Sequence, residues 1–322
     1  MARIAELAQW LRERDHIAVI PHVNPDGDAL GSALALKLML DRMGKRACIC
    51  SQDGVPHMYD FLPGKEWVLP ADQLPFEPQA LLFEDVAAFE RAGDRGALSG
   101  RVKDWALLDH HETNPGYAPV SVVDGHAPAT GMLVVRLLDQ LGMSFEGDMA
   151  LYLYVAISTD TGNFSFSNTT PESCRAMARL LEAGLDLERY SRLTFRMRSE
   201  PRLRLLGLAI GGMKRYAGGR LAVAEIPQRL FDACGARPED TEGIVNALSD
   251  MEGVEVAMTV ESRDGGAATK FSLRSVGSFD VARIASAFQG GGHRNAAGMN
   301  LKCPVDQAAP QAIQAVLQAL QG

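Results

Sequence analysis

Residues 17–32 read Ile-Ala-Val-Ile-Pro-His-Val-Asn-Pro-Asp-Gly-Asp-Ala-Leu-Gly-Ser. The apolar residues at its start predict a buried strand over 17–22, and apolar residues at helical spacing predict a helix over 29–43. Open α/β sheets bind their ligands at the carboxyl ends of strands, so the turn between these two elements is a candidate site.

Three side chains in this turn could bind a ligand: His22, Asp26 and Asp28. An imidazole with several carboxylates suits a divalent ion such as Mn²⁺ better than Zn²⁺ in a thiolate site. The segment Asn-Pro-Asp-Gly-Asp is also typical of an ordinary turn with a helix cap. The turn taken alone leaves both interpretations open.

The rest of the first half alternates short apolar segments with helical patterns, which predicts a mostly parallel sheet flanked by helices. Further strands are predicted at 47–51, 80–83, 105–108 and 120–123, and further helices at 131–141, 148–158 and 171–183.

A stretch with six arginines, one acidic residue and Pro201 follows at 189–204, and we interpret it as an interdomain connector that is helical on either side of the proline. The remainder predicts a smaller α+β domain. Its strands are expected at 220–226, 254–261 and 269–274, and its helices at 241–251, 281–288 and 305–320. The expected organisation is a domain at 1–188, the connector at 189–204 and a domain at 205–322.

Composition narrows the class of protein. The 322 residues are 47% hydrophobic and 22% charged, which is sufficient for two globular cores. No apolar run reaches about 18 residues, and the amino terminus carries charges, so we expect neither a membrane span nor a secretory signal but a cytoplasmic protein. The five cysteines are scattered, which predicts no disulfide framework and no zinc knuckle.

The formal net charge of −8 argues against a protein that binds long nucleic acid through a broad basic surface. The acidic excess lies in residues 1–205, which carry 21 basic and 28 acidic residues. Any nucleic-acid substrate is therefore expected to be short.

Three more element ends carry ligand-type side chains. Asp85 follows a predicted strand, Asp109-His110-His111 follows another, and Asp160 lies in Ser-Thr-Asp-Thr-Gly at a helix end. Each alone is typical of a cap, a turn or a surface pair. Four such ends in order along one predicted sheet favour a metal site.

A glycine-rich segment in the second half, residues 288–298, reads Phe-Gln-Gly-Gly-Gly-His-Arg-Asn-Ala-Ala-Gly. Its three consecutive glycines allow close approach of backbone N–H groups to a phosphate, and His293 and Arg294 add donors. We expect a glycine-rich turn here, between the helices at 281–288 and 305–320, and a glycine triplet taken alone is usually a flexible loop.

Together these motifs resemble those of the DHH phosphoesterase superfamily over nearly the whole chain. The resembling motifs are His22-x-x-x-Asp26-x-Asp28, Asp85 followed by Arg91 and Gly93, Asp109-His110-His111, and Asp160-Thr161-Gly162. The glycine segment and Ser272-Leu273-Arg274 resemble the DHH-associated carboxyl-terminal domain.

The resemblance implies two Mn²⁺ ions, the first held by His22, Asp26 and Asp85. It implies that the second is held by Asp28, Asp85, His110 and Asp160, so that Asp85 bridges both. Glu84 is the alternative bridging residue, since it directly precedes Asp85 where similar proteins have an apolar residue.

The resemblance also implies the remaining roles. His111 and Arg274, with arginines of the connector, would neutralise charge on the phosphoryl oxygens, and Asp109 would support a ligating histidine. Substrate would be bound by Arg274, Gly290, Gly291, Gly292 and His293.

Among relatives, chain length and motifs favour the bacterial oligoribonuclease (nanoRNase) and adenosine 3′,5′-bisphosphate (pAp) phosphatase group. Its implied substrates are short oligoribonucleotides, cleaved 3′ to 5′, and pAp, with no partner among long duplexes or membranes. A phosphodiesterase for cyclic or linear dinucleotides is an alternative, and a non-catalytic nucleotide-binding regulator is an alternative of a different class. The oligomeric state stays open between a monomer and a homodimer.

Overall fold

A computed structural model of the chain describes residues 2–92 and 98–321. The chain divides into two compact units, Met1–Met197 and Arg198–Gly322. The division lies within the range 189–204 that the sequence analysis interprets as a connector.

The first unit is built on a six-stranded parallel sheet with strand order β3-β2-β1-β4-β5-β6. The strands are β1 Ile17–Ile20, β2 Ala47–Cys50, β3 Val68–Leu69, β4 Ala80–Glu84, β5 Trp105–Asp109 and β6 Val120–Val123. The strand order reverses between β1 and β4, and such a reversal opens a crevice at the carboxyl ends of the two strands. The predicted parallel sheet is thereby confirmed.

Helices accompany this sheet. They are α1 Ala2–Glu13, α2 Gly27–Arg42, α3 Thr130–Leu141, α4 Asp148–Asp160, α5 Pro171–Glu182 and α6 Leu187–Ser191. The sequence analysis missed α1 and the two-residue strand β3. The apolar residues Ile4, Leu7 and Leu11 of α1 have the helical spacing that should have predicted it, whereas β3 has too few residues for a periodic pattern.

Both faces of the sheet are buried, which explains why its strands read as continuous apolar runs. One apolar cluster joins α2, α3 and α4 to the sheet through residues such as Leu34, Leu133 and Leu153. The opposite face packs Phe83 and Leu107 in a second cluster.

Helices α2 and α4 pack closely because Gly31 has no side chain. A β-carbon at Gly31 would lie 2.5 Å from the carbonyl oxygen of Tyr152 and 2.8 Å from the nitrogen of Ala156. This approach sets the position of α2, whose first turn carries Asp28.

The second unit is built on a six-stranded mixed sheet with strand order β11-β12-β10-β9-β8-β7, in which only β8 and β9 pair in parallel. Its strands are β7 Lys214–Tyr216, β8 Leu221–Ile226, β9 Val256–Arg263, β10 Ala268–Ser275, β11 Gly291–His293 and β12 Ala296–Leu301. Its helices are α7 Glu200–Gly211, α8 Gln228–Cys234, α9 Ile244–Ser249, α10 Val281–Ala287 and α11 Val305–Gln321.

Two predictions for this unit were wrong. The helix expected over 241–251 is only Ile244–Ser249, because Gly243 has a left-handed φ of 84° and separates it from a 3₁₀ turn at Pro238–Thr241. The glycine-rich turn is instead the hairpin of β11 and β12, since alternation is hard to read through so many small residues. None of the helices in 2–92 and 98–321 has the length and apolar character needed to cross a bilayer.

Gly31→Ala is expected to lower the stability of the first unit by about 1–3 kcal/mol, because the added methyl group must displace helix backbone. Urea unfolding followed by tryptophan fluorescence measures this unit alone, since Trp10, Trp67 and Trp105 are the three tryptophans of the chain and all lie in it. Gly207→Ala, at a helical glycine of the second unit with open space around its β-carbon position, is the control for the general effect of Gly→Ala in a helix, and its unfolding is followed by circular dichroism because fluorescence does not report on that unit. An unchanged midpoint for Gly31→Ala would contradict the packing described.

Candidate metal centre

Ligand-type side chains converge where the strand order of the first sheet reverses. They follow β1, β4 and β5 or end α4, and they are His22, Asp26, Asp28, Asp85, His110 and Asp160. The structure therefore brings together all six side chains that the sequence analysis proposes as ligands.

The first turn of α2 fixes two of these carboxylates. Asp26 caps the helix and accepts hydrogen bonds from the backbone N–H groups of Asp28 at 3.0 Å and Ala29 at 3.1 Å. Asp28 is fully buried and accepts from the N–H groups of Thr130 at 2.6 Å and Gly131 at 2.9 Å, in the first turn of α3. The positive end of α3 thus stabilises the charge of Asp28.

Two histidines present the same ring nitrogen to the carboxylates. Nδ1 of His22 lies 2.8 Å from the carbonyl oxygen of Val23, and Nδ1 of His110 lies 3.2 Å from that of Ala127. Donation from Nδ1 to a carbonyl leaves Nε2 as the lone-pair nitrogen, the tautomer that ligates a metal. Nε2 of His22 and Nε2 of His110 lie 3.6 and 3.5 Å from the two carboxylate oxygens of Asp85.

Three overlapping groups of side chains could hold a metal ion, because their ligand atoms lie within 4.8 Å of one another. These groups are His22, Asp26 and Asp85; Asp28, His110 and Asp160; and Asp85, His110 and His111. Asp85 lies between the two sides of the cluster, in a left-handed conformation with φ 55°, and accepts a hydrogen bond from Thr130 Oγ1 at 3.0 Å.

The electrostatics of this cluster match a cation site. Burial, followed by repulsion from neighbouring carboxylates, raises the pKa of Asp28, Asp85 and Asp160. Burial opposes protonation of His22, yet the hydrogen bond and charge of Asp26 and the charge of Asp85 raise its pKa to about 9. A divalent cation would remove the repulsion among the carboxylates, so the donor set fits a metal.

Glu84 lies differently from Asp85. It is fully buried, and both its carboxylate oxygens lack a hydrogen-bond partner within residues 2–92 and 98–321. Burial, followed by the charges of Asp85, Asp26 and Asp109, raises its pKa well above the ordinary value. Over the described ranges it belongs to none of the three groups, so the geometry favours Asp85 as the shared residue.

His111 is held by a buried chain of hydrogen bonds. Its Nδ1 lies 2.8 Å from Asp109 Oδ1, and Asn114 Nδ2 donates to Asp109 Oδ2 at 2.6 Å and to the carbonyl oxygen of Val86 at 2.8 Å. Asp109 thus contacts His111, whereas the sequence analysis expected it to support a ligating histidine. Burial opposes protonation of His111, but Asp109 and then Asp85 raise its pKa above the ordinary value.

The sequence analysis missed Asn114 and Thr130. Asn114 lies five residues after Asp109, in a segment that reads as a turn, and Thr130 precedes an apolar helix like many capping residues. The backbone near Arg91 also contributes, because its carbonyl accepts a hydrogen bond from the N–H of Val23 at 2.8 Å. Gly93, the other residue quoted with Arg91, lies outside the described residues.

In the second unit, strand pairing aligns Arg274 and His293. Ala296 of β12 pairs with both of them, so their side chains lie on the same face of the sheet, two strands apart. A β-carbon at Gly292 would lie 2.6 Å from Ala297 Cα, whereas the corresponding position at Gly291 is open. Gly290 is likewise confined by β12, and therefore only the middle glycine of the three faces free space.

A doubly wound parallel sheet with a carboxylate–imidazole cluster at its reversal point, joined to a second α/β unit, is typical of metal-dependent phosphoesterases. Residues 16–157 match the N-terminal domain of the DHH family, and residues 211–322 match the DHHA1 domain. The chain belongs to the DHH family and is a hydrolase that acts on phosphate esters.

Known proteins agree with this assignment. The chain is 36% identical to the bifunctional oligoribonuclease and PAP phosphatase NrnA of Thermus thermophilus, over 99% of this chain and 94% of that protein. It is 30% identical to a probable manganese-dependent inorganic pyrophosphatase of Deinococcus radiodurans, over 57% of this chain and 60% of that protein. The structure of an exopolyphosphatase-related protein from Bacteroides fragilis is 28% identical and superposes with a TM-score of 0.90, over 99% of this chain and 96% of that one.

Asp85→Asn is expected to lower phosphodiesterase activity at least about a hundredfold, because it removes a charge shared by both sides of the cluster. Glu84→Gln is the matched control and should keep most of the activity, since among the described residues Glu84 is a member of none of the three groups. Initial rates with bis-p-nitrophenyl phosphate measure both variants. The opposite ranking would make Glu84 the ligand.

Proposed function

We propose that this protein is a manganese-dependent phosphoesterase that hydrolyses short oligoribonucleotides from the 3′ end and also hydrolyses pAp. The observation that carries the proposal is the cluster in which Asp85 lies between His22 and His110, with Asp26 on the side of His22 and the carboxylates of Asp28 and Asp160 on the side of His110. Such a cluster can hold two cations that share one carboxylate.

In this proposal His22, Asp26 and Asp85 hold one Mn²⁺, and Asp28, Asp85, His110 and Asp160 hold the other. Two such ions, when bound, lower the pKa of a water molecule and neutralise charge on the attacked phosphoryl group. The N–H groups of Thr130 and Gly131 hold Asp28 in position by donating to both its oxygens. The six ligand side chains are all carboxylates or imidazoles, which supports Mn²⁺. The similarity to the probable manganese-dependent pyrophosphatase of Deinococcus supports it as well.

His111 is proposed to bind the phosphoryl group. Because Nδ1 contacts Asp109, we assign the substrate contact to Nε2, and the raised pKa of His111 favours the protonated ring that stabilises negative charge. Asp109 and Asn114 act through His111 as positioning residues.

The substrate class follows from similarity and charge. The Thermus relative, which matches almost the whole chain, carries both activities in its name. The net charge of −8 supports short substrates over long ones, because proteins that bind long nucleic acid neutralise many phosphates with basic residues. Arg274 and His293, on one face of the second sheet, are proposed to bind the substrate phosphate and, with the glycine hairpin, to select the substrate.

A non-catalytic regulator would be expected to lack one or more ligand side chains. All six are present and converge, which supports catalysis. The division of labour into a catalytic domain at 1–188 and a substrate-binding domain at 205–322, the cytoplasmic location and the 3′ to 5′ direction are part of this proposal.

Chelator treatment is expected to abolish hydrolysis of pAp and of a triribonucleotide, and Mn²⁺ should restore it better than Mg²⁺ or Zn²⁺. Rates on pAp, pGpG, di- to pentaribonucleotides, a 24-nucleotide RNA, cyclic di-AMP and pyrophosphate test the substrate class. Full turnover by metal-stripped protein would contradict the metal centre. Equal rates on the 24-nucleotide RNA and the trinucleotide would contradict the preference for short substrates.

Arg274→Ala is expected to raise KM for pAp by about tenfold or more, because a half-buried guanidinium makes a charge-assisted contact with phosphate. Arg274→Lys should recover only part of the loss, since an ammonium group cannot bind two oxygens in the same plane. The KM and kcat of each variant, on pAp and on bis-p-nitrophenyl phosphate, separate substrate binding from chemistry. Equal damage on both substrates would show that Arg274 does not select the substrate.

A further inference from the structure

The loop between α4 and α5, residues 161–170, presents an aromatic side chain to solvent. Phe166 is 51% exposed, and it is the aromatic member of the exposed large apolar side chains in residues 2–92 and 98–321. Phe164 of the same loop instead packs against the large apolar cluster of the first unit. Since burial of a phenyl ring is favourable, a ring that the loop holds in the open is a candidate for contact with a ligand.

One face of the Phe166 ring is covered by the backbone of Gly162. Three neighbouring ring carbons, Cδ1, Cε1 and Cζ, lie within 2.5 Å of the position that a β-carbon at Gly162 would take. An approach to the ring edge would bring one or two carbons that close, so similar distances to three carbons place Gly162 against the flat face. Because half of the side chain is still exposed, the opposite face is open.

The loop fixes Phe166 in this position. Its N–H donates to the carbonyl oxygen of Thr161 at 2.9 Å, and its carbonyl oxygen accepts from the N–H of Thr169 at 3.0 Å. Phe164 has a left-handed φ of 63°, which is rare for a bulky residue. Such backbone strain persists only where the surrounding contacts enforce it, and it is concentrated at functional sites. The ring is therefore held in place before any ligand binds.

The same loop is attached to the proposed metal centre. Gly162 follows the proposed ligand Asp160 by two residues, so their Cα atoms are at most about 7 Å apart. Asn168 Nδ2 donates to the carbonyl oxygen of Asp160 at 3.0 Å and to that of Pro128 at 3.2 Å. Phe166 thus lies close to the cluster, within reach of a nucleotide whose phosphate is bound there.

We propose that the open face of Phe166 stacks against a base of the nucleotide substrate. Every nucleobase has a flat aromatic face, and a fixed ring with one face covered and the other open has the geometry that base stacking requires. Stacking orients the base while the phosphate is bound at the cluster, and it tolerates different bases because it reads no hydrogen-bonding pattern. This inference rests on the proposed function, since it adds a residue that recognises the same nucleotide substrates.

Calorimetric titration of the Mn²⁺-loaded full chain with adenosine 5′-monophosphate and with ribose 5-phosphate tests the inference, because the second ligand lacks the base. The monophosphate is a product of the proposed reactions, so no turnover is measured. Phe166→Ala should weaken binding of the monophosphate about tenfold and leave binding of ribose 5-phosphate unchanged. Phe166→Trp should keep at least wild-type affinity, whereas Phe166→Leu, which is apolar but has no ring, should lose most of it.

Leu181→Ala is the matched control, since it truncates another exposed apolar side chain of the first unit, on α5, and should leave binding of both ligands unchanged. The inference is overturned if the wild type binds the monophosphate no more tightly than ribose 5-phosphate. It is also overturned if Phe166→Ala weakens both ligands equally, since the ring would then only support the loop.

Wild-type affinity for the monophosphate in Phe166→Leu would show that the aromatic face is unnecessary, and an equal loss in Leu181→Ala would show that the effect is not specific to Phe166. Either result contradicts the inference. Because binding of a product is measured, a lack of pAp hydrolysis would contradict the proposed function and leave the stacking result unaffected.

Discussion

Electrostatic repulsion among carboxylates is the constraint on which the first unit depends. Four aspartates meet at one edge of a buried parallel sheet, and two of them, Asp28 and Asp85, are buried, so water cannot fully screen their charges. The fold offsets part of this cost with the N-terminal N–H groups of α3, which bind Asp28, and with the paired imidazoles of His22 and His110. The repulsion that is not offset in this way would be removed by bound cations. The arrangement that destabilises the fold without metal therefore favours binding of divalent metals.

The backbone around the cluster positions its carboxylates. The close contact of Gly31 with α4 brings the helix that begins beside Asp28 against the helix that ends in Asp160. The left-handed conformation of Asp85 turns the chain at the end of β4, so that consecutive residues, Glu84 and Asp85, reach different surroundings. Within the part of the chain that the structure describes, the carboxyl group of Glu84 is buried without a hydrogen-bond partner, whereas that of Asp85 lies in the ligand cluster.

The two units treat charge in different ways. The first places carboxylates around imidazoles, whereas the second places Arg274 and His293 on one face of its sheet. These opposite charges suit two different tasks for a phosphate ester: cation-assisted cleavage and recognition of phosphate. In the glycine hairpin, close strand pairing explains two of the glycines, so only Gly291 is available for approach by a ligand.

The sequence by itself determined the parallel sheet, the family and the set of ligand-type side chains, because strand runs and short motifs such as Asp109-His110-His111 are local features. Only the tertiary structure distinguishes Glu84 from Asp85, because it places the side chain of Asp85 in the ligand cluster and buries that of Glu84 beside it. It also revealed Asn114 and Thr130. Their partners are distant in sequence, for example Asp85 is 45 residues from Thr130, and contacts of that kind depend on packing rather than on any local pattern.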